Sequence, residues 1–359
     1  MSSTDDLQQN SASSQVVSQS PAEPLLTDVF GRPLRDLRIS VTDRCNFRCT
    51  YCMPKEIFGP NFAFLPHKEL LTFEELARLT KIFVDHGVRK VRLTGGEPLL
   101  RKDLEKLIQM LSEIQGIEDI ALTTNGSLLT KKKAAALKEA GLRRITVSLD
   151  SLDNDVFMSM NDVRFPVEKV LAAIEAADEA GLAPVKINMV VKRGVNDQSI
   201  LEMAEHFRGT NHVLRFIEFM DVGNTNGWKL DQVVSAAEIR KRIEQNWSLE
   251  PVSPAHRGEV AKRYRYRDGK GEIGFIASVT QAFCANCTRA RISSEGLLYT
   301  CLFGTKGHDF RALLRGKVSD EQIGQFLREV WDGRSDRYSE LRSENTQGLK
   351  KIEMSHIGG

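Results

Sequence analysis

No stretch of about 18 consecutive apolar residues occurs in this 359-residue chain, so a membrane-spanning helix is not expected. Charge of one sign is not in excess either: 50 lysines and arginines against 48 acids leave a net charge of +2. That balance argues against nucleic acid or a membrane surface as partner, and any cationic site must be local. The opening stretch MSSTDDLQQNSASSQVVSQSPAEP lacks the apolar core of a secretory leader and is rich in Ser and Gln, so residues 1–25 are expected to be a disordered tail. A cytoplasmic location follows, where thiols stay reduced. Cysteine is scarce, six residues in all, and disulfides are the least expected use of them.

What the chain does have is a regular alternation. Short β-branched runs occur at 37–43 (LRISVTD), 90–96 (KVRLTGG), 119–125 (DIALTTN), 144–150 (RITVSLD), 185–191 (VKINMVV) and 214–220 (LRFIEFM). Between them lie segments such as FEELARLTKIFVDHG, with apolar residues three and four apart, several ending in glycine (Gly87, Gly141, Gly181). Six strand–helix units predict a parallel sheet, either doubly wound or an incomplete barrel. Polar residues gather after the strands, as Thr42 and Asp43, TGGEP, TTNG and SLDS. In α/β enzymes that edge is where loops converge to build a site.

Half of the cysteines fall in CNFRCTYC, residues 45–52. On a helix Cys45, Cys49 and Cys52 would share a face, but Asn46, Arg48 and Thr50 interleave them and Pro54 follows, which disfavours a core stripe. Zinc usually takes four ligands from two close pairs; His67 could complete the set only from a distant loop. A 4Fe–4S cube takes one thiolate per iron, so three cysteines would leave one iron open.

C-x3-C-x-aromatic-C after a first strand resembles the signature of the radical S-adenosylmethionine (SAM) superfamily, and GGEP after the second strand resembles its second motif. The resemblance implies an α/β fold, an incomplete (β/α)6 TIM-type barrel. It also implies that the open iron chelates SAM, which is cleaved to methionine and a 5′-deoxyadenosyl radical, the cofactor carrying the hard chemistry.

The remaining cysteines, Cys284, Cys287 and Cys301, form C-x2-C-x13-C, again a trio rather than the two close pairs of a zinc ribbon. Arg289, Ala290 and Arg291 follow the second of them, and arginine's planar donors suit phosphate oxygens. Two trios, the CTRAR phrase and a final Gly358-Gly359 together resemble the GTP 3′,8-cyclase family of molybdenum cofactor biosynthesis, over nearly the whole chain from Thr27. That resemblance implies two 4Fe–4S clusters, one on each trio, and GTP as substrate. Arg38, Arg92, Thr123, Lys186, Arg289, Ala290 and Arg291 would contact GTP. Tyr51, Gly96, Ser148 and Met220 would contact SAM. Gly358 and Gly359 would reach the active site with the catalytic Cys45, Cys49 and Cys52. Lys186 has independent support, because an unpaired charge inside an apolar strand is costly.

The family reaction removes hydrogen from C3′ of the ribose and joins that carbon to C8 of the guanine. An electron donor is implied, as is hand-over of product to cyclic pyranopterin monophosphate synthase, by a monomer or homodimer. The expected divisions are 26–245 for the barrel, 246–335 for the second cluster and substrate region, and 336–359 for the tail. One departure stands out: MNDVRF replaces the family's phrase after SLD, which leaves no expected substrate contact around Met160 to Arg164. The rivals are a peptide-modifying radical SAM enzyme with an auxiliary cluster and a zinc protein that binds nucleic acid.

Overall fold

A computed structural model describes residues 26–342 and 349–359; the tail expected over residues 1–25 lies outside the described residues, as do residues 343–348. All six expected strands form: β1 (Asp36–Ser40), β2 (Lys90–Thr94), β3 (Asp119–Thr124), β4 (Arg144–Ser148), β5 (Lys186–Val191) and β6 (Val213–Glu218). They lie side by side in chain order, every pair parallel. Helices join them. Phe73–Asp85 starts at a capping box, the Thr72 hydroxyl accepting from Glu75 N while the Glu75 carboxylate accepts from Thr72 N. Gly87, Gly141 and Gly181 close their helices at positive φ, as their placement in the sequence predicts.

The C-terminal third adds six further strands. β7 (Leu249–Val252), β8 (Lys262–Tyr266) and β9 (Glu272–Ile276) form an antiparallel run, and β9 then pairs parallel with β6. β10 (Arg289–Ile292), β11 (Leu297–Tyr299) and β12 (His308–Asp309) do the same at the other edge, with β10 parallel to β1. The six-stranded unit is thus widened from both sides into one twelve-stranded sheet. Strands near both edges, β9 and β10, nevertheless line one cavity, so the sheet curls into a partial barrel.

Period-two alternation sorts the side chains. Leu37, Ile39, Val91, Leu93, Ile145 and Val147 point outward and are buried in the main core, alongside helix residues such as Leu79 and Phe83. Each such side chain contributes about 1.5–3 kcal/mol by leaving water. The alternate residues, among them Arg38, Arg92, Thr123, Lys186 and Arg215, face the barrel interior. Among the described residues no helix is long and apolar enough to cross a membrane.

Candidate functional site

The first cysteine trio lies on the loop after β1, braced from four sides. Arg48 ties the loop together, its Nε donating to Phe58 O at 2.6 Å and Nη1 to Cys45 O at 2.7 Å. Arg48 N and Thr50 N donate to Asn161 O and Met160 O at 2.9 and 3.1 Å. The segment with no expected substrate contact therefore plays a supporting part, its carbonyls holding the cysteine loop. Tyr51, the aromatic of the motif, is buried, and its hydroxyl donates to the Asp150 carboxylate at 2.7 Å. Burial raises the Asp150 carboxyl to about 6, opposed by the hydrogen bonds from Tyr51 and Val190 N.

Gly96 joins the loops after β1 and β2. Its N–H donates to Thr42 O at 2.8 Å, and a Cβ there would lie 2.2 Å from Arg44 O. The next residue, Glu97, is buried and raised to about 7 by burial; it accepts from Leu99 N, Thr124 Oγ1 and Asn125 N at 2.7–3.0 Å. Asn125 in turn sets its Nδ2 at 3.8 Å from Cys45 Sγ, and Phe47 N lies 3.4 Å from the same sulfur. N–H groups aimed at a sulfur suit a thiolate.

The donor set fits iron–sulfur ligation. All six cysteines are half-buried and none forms a disulfide. Among the described residues no group of three or more His, Cys, Asp or Glu is placed to hold a single metal ion. A cube does not need its thiolates to converge on one ion. His67 is exposed, in the short helix His67–Glu69, and completes no site. Burial raises the Cys45 thiol to about 12 and holds Cys49 and Cys52 well above their usual range, so these thiols want a cation before they ionise.

The barrel interior holds a cavity of about 550 Å³. Arg38, Arg92, Thr123 and Lys186 line it, with Arg289 and Arg291 from β10. Arg92 Nη1 donates to Thr123 Oγ1 at 2.9 Å and Thr146 Oγ1 at 3.2 Å, which stiffens three neighbouring strands. Burial, then the neighbouring Arg215 and Arg144, lower Lys186 to about 7; burial also lowers Lys90 to about 8 and Arg215 to about 9. Arg289 Nη1 is buried with no hydrogen-bond partner among the described residues. Stacked, desolvated cations with spare donors make a site for a multiply charged anion. Ala290 is the exception among the expected contacts. Flanked by two inward arginines, it points outward and is fully buried in the apolar core, so its side chain touches nothing in the cavity.

Cys284, Cys287 and Cys301 line the same cavity. Cys287 differs from the other cysteines. Burial raises it, but Arg289 and Arg334 outweigh burial and hold it at about 7. The chain end is inside too. Gly359 lines the cavity, Arg291 donates to Gly358 O, and a Cβ on Gly358 would strike Thr94 Cγ2. His356 pairs with Glu295 at 2.6 Å, and Glu353 accepts from Asn224 N at 2.9 Å, anchoring the tail on two sides.

Of the four expected SAM contacts, Met220 lines the cavity. Ser148 ends β4, two residues beyond Thr146 and so on the same face. Tyr51 belongs to the loop that carries the first trio, and Gly96 to the loop after β2 that packs against it. Lys90, Arg144 and Arg215 also line the cavity, and no motif in the sequence marked them. The alternation that singles out Lys186 applies equally to Arg215, set between Leu214 and Phe216, whereas Arg144 opens β4 after Arg143.

Residues 39–207 match the radical SAM superfamily and residues 212–340 match Molybdenum Cofactor Synthesis C. A protein of Acidothermus cellulolyticus named GTP 3′,8-cyclase is 52% identical, covering 93% of this chain and 99% of its own. One of Staphylococcus saprophyticus with the same name is 51% identical over the same shares. Among solved structures, Streptococcus suis SuiB bound to S-adenosylmethionine superposes with a TM-score of 0.59 at 18% identity, covering 90% of this chain and 72% of that one, a likeness of fold.

Proposed function

The chain belongs to the GTP 3′,8-cyclase family of radical SAM enzymes, and from that premise we propose how its residues divide the work. The reaction converts GTP to (8S)-3′,8-cyclo-7,8-dihydroguanosine 5′-triphosphate, the first step of molybdenum cofactor biosynthesis. When bound, a 4Fe–4S cluster and SAM supply the electron and the 5′-deoxyadenosyl radical that begin it.

Cys45, Cys49 and Cys52 hold that cluster, with Tyr51, Gly96, Ser148 and Met220 placing SAM between the cysteine loop and the cavity. Arg38, Arg92, Lys186, Arg289 and Arg291 bind the triphosphate, and Thr123 orients Arg92. The triphosphate's negative charge offsets the mutual repulsion of these buried cations. Cys284, Cys287 and Cys301 hold a second 4Fe–4S cluster at the other end of the cavity, towards the guanine. Fixing the nucleotide at both ends holds C3′ within reach of C8, which is catalysis by proximity. Gly358 and Gly359 fill the space beside Arg291, keeping water from the reacting carbon. Residues 26–245, 246–335 and 336–359 correspond to barrel, second-cluster region and tail. An external electron donor and a downstream synthase for the cyclised nucleotide complete the proposal.

The observation that carries this reading is the single cavity in which the second cysteine trio and the stacked cations meet. The test is anaerobically reconstituted protein with SAM, a reductant and either GTP or ATP, analysed by mass spectrometry. The expected result is 5′-deoxyadenosine that rises with GTP alone, beside a new GTP-derived product. Deoxyadenosine without a nucleotide product would return the substrate question to a peptide.

Binding should also depend on pH. Lys186 at about 7 and Lys90 at about 8 are largely neutral in the free protein above those values. A polyanion favours their charged forms, so binding takes up protons and affinity falls as pH rises, by up to about tenfold per pH unit for each lysine. Calorimetry of GTP binding between pH 7 and 9, in buffers of different ionisation enthalpy, measures both effects. A flat profile without proton uptake would remove Lys186 from the triphosphate site.

A further inference from the structure

Beside the second cysteine trio lies a buried ion-pair network to which the reading above gives no part, and its Arg334 also lines the cavity. Asp28 Oδ2 pairs with Arg32 Nε at 2.5 Å and Arg334 Nη1 at 3.0 Å, and all three side chains are at most 1% exposed. The two guanidiniums are aimed at the backbone of the trio. Arg32 Nη1 donates to Cys284 O at 2.9 Å and Asp336 O at 2.8 Å. Arg334 Nη1 donates to Cys287 O at 2.9 Å, and its Nε donates to Thr300 O, next to Cys301, at 3.2 Å.

Thus carbonyls at or beside all three cysteines are gripped by one carboxylate-linked pair of arginines. The Asp336 carboxylate lies 3.4 Å from Arg334 Nε, the Trp331 ring packs on the Arg334 guanidinium and donates Nε1–H to Arg32 O at 3.1 Å, and Arg32 Nη2 is buried without a partner among the described residues. Asp28 and Arg32 precede the first residue matched to either family. They meet Arg334 across nearly the whole length of the chain.

A buried ion triad is a poor stabiliser in itself, because desolvation cancels most of the attraction. Its value lies in geometry and field. Planar guanidiniums hold backbone direction stiffly, and fixed positive charge beside thiolates makes a cluster easier to reduce.

We propose that Asp28, Arg32 and Arg334 form a clamp that sets the geometry and the reduction potential of the cluster on Cys284, Cys287 and Cys301, a positioning role one step removed from the reacting atoms. This rests on the second-cluster reading above. The test uses the anaerobically reconstituted full chain, with iron and sulfide counted per chain and each cluster titrated by electron paramagnetic resonance. SAM perturbs only the first cluster's spectrum and so tells the two apart.

Arg334→Gln should move the second cluster's midpoint to more negative potential and leave the first unchanged, whereas Arg334→Lys, which keeps the charge, should recover most of the shift. Asp28→Asn should drop iron from two clusters' worth to one while the SAM-sensitive signal survives. Two full clusters at unaltered potentials in both Arg334→Gln and Asp28→Asn would overturn the clamp, even if either variant melted earlier. One cluster's worth of iron in the unmodified chain would instead overturn the second-cluster reading, and the clamp with it.

Discussion

Replacing Cys284 with serine is expected to uncouple the reaction: SAM is still cleaved slowly, and no cyclised nucleotide appears. Cys284 lines the cavity, whereas Cys45, Cys49 and Cys52 lie on the loop after β1, and the two trios share no residue. Losing one thiolate there leaves the first trio's supports intact, from the Arg48 bonds to the Tyr51–Asp150 pair. On the proposed reading, the guanine end of the substrate then loses its anchor. C3′ and C8 then sample many relative positions, and a misplacement of about 1 Å already costs on the order of a hundredfold in rate. Product should fall by at least that factor while 5′-deoxyadenosine remains measurable, and iron should fall by one cluster. Mass spectrometry and iron analysis on one preparation check both. Undiminished cyclisation would show that the second trio is structural.

Gly96→Ala should do the reverse. The added methyl would sit 2.2 Å from Arg44 O and 2.9 Å from Cys45 N, both main-chain atoms that no rotamer change can move aside. The loop that carries Cys45 must shift, and with it the hydrogen bonds from Gly96 N to Thr42 O and from Glu97 N to Arg44 O, each 2.8 Å. Forcing a buried methyl into main chain costs about 1–3 kcal/mol or more. Here the strain falls on a cluster ligand. We expect the first cluster to be lost, SAM cleavage to fall below detection and the second cluster's iron to remain. Normal SAM cleavage by the alanine variant would show that the loop yields more easily than its packing implies. The two variants act on different cysteine trios, so their product profiles should differ.

Much of this is legible before any fold is known. The spacing of Cys45, Cys49 and Cys52 is local, and local chemistry reads directly from neighbouring residues. The six parallel strands are legible because each carries its own period-two pattern and is followed by its own helix. Lys186 is found by that pattern, and the same rule extends to Arg215. At Ala290, between two inward arginines, the same alternation sends the side chain into the core. The support that Met160 and Asn161 give the cysteine loop is invisible in the sequence, because it runs through their carbonyl oxygens, which every residue type possesses.

By itself, then, the sequence determined the ligand types and their spacing, the strand and helix periods, and the inward face of each strand, since these depend on residues within a few positions of one another. Only the tertiary structure decided that β9 and β10 extend the barrel at opposite edges, that the Arg289 and Arg291 pair shares one cavity with Arg38 and Lys186, that Gly359 ends inside it, and that Asp28 reaches Arg334. The last of these pairings joins residues 306 positions apart. Their register is set by the packing of the whole sheet, which no local pattern of side chains encodes.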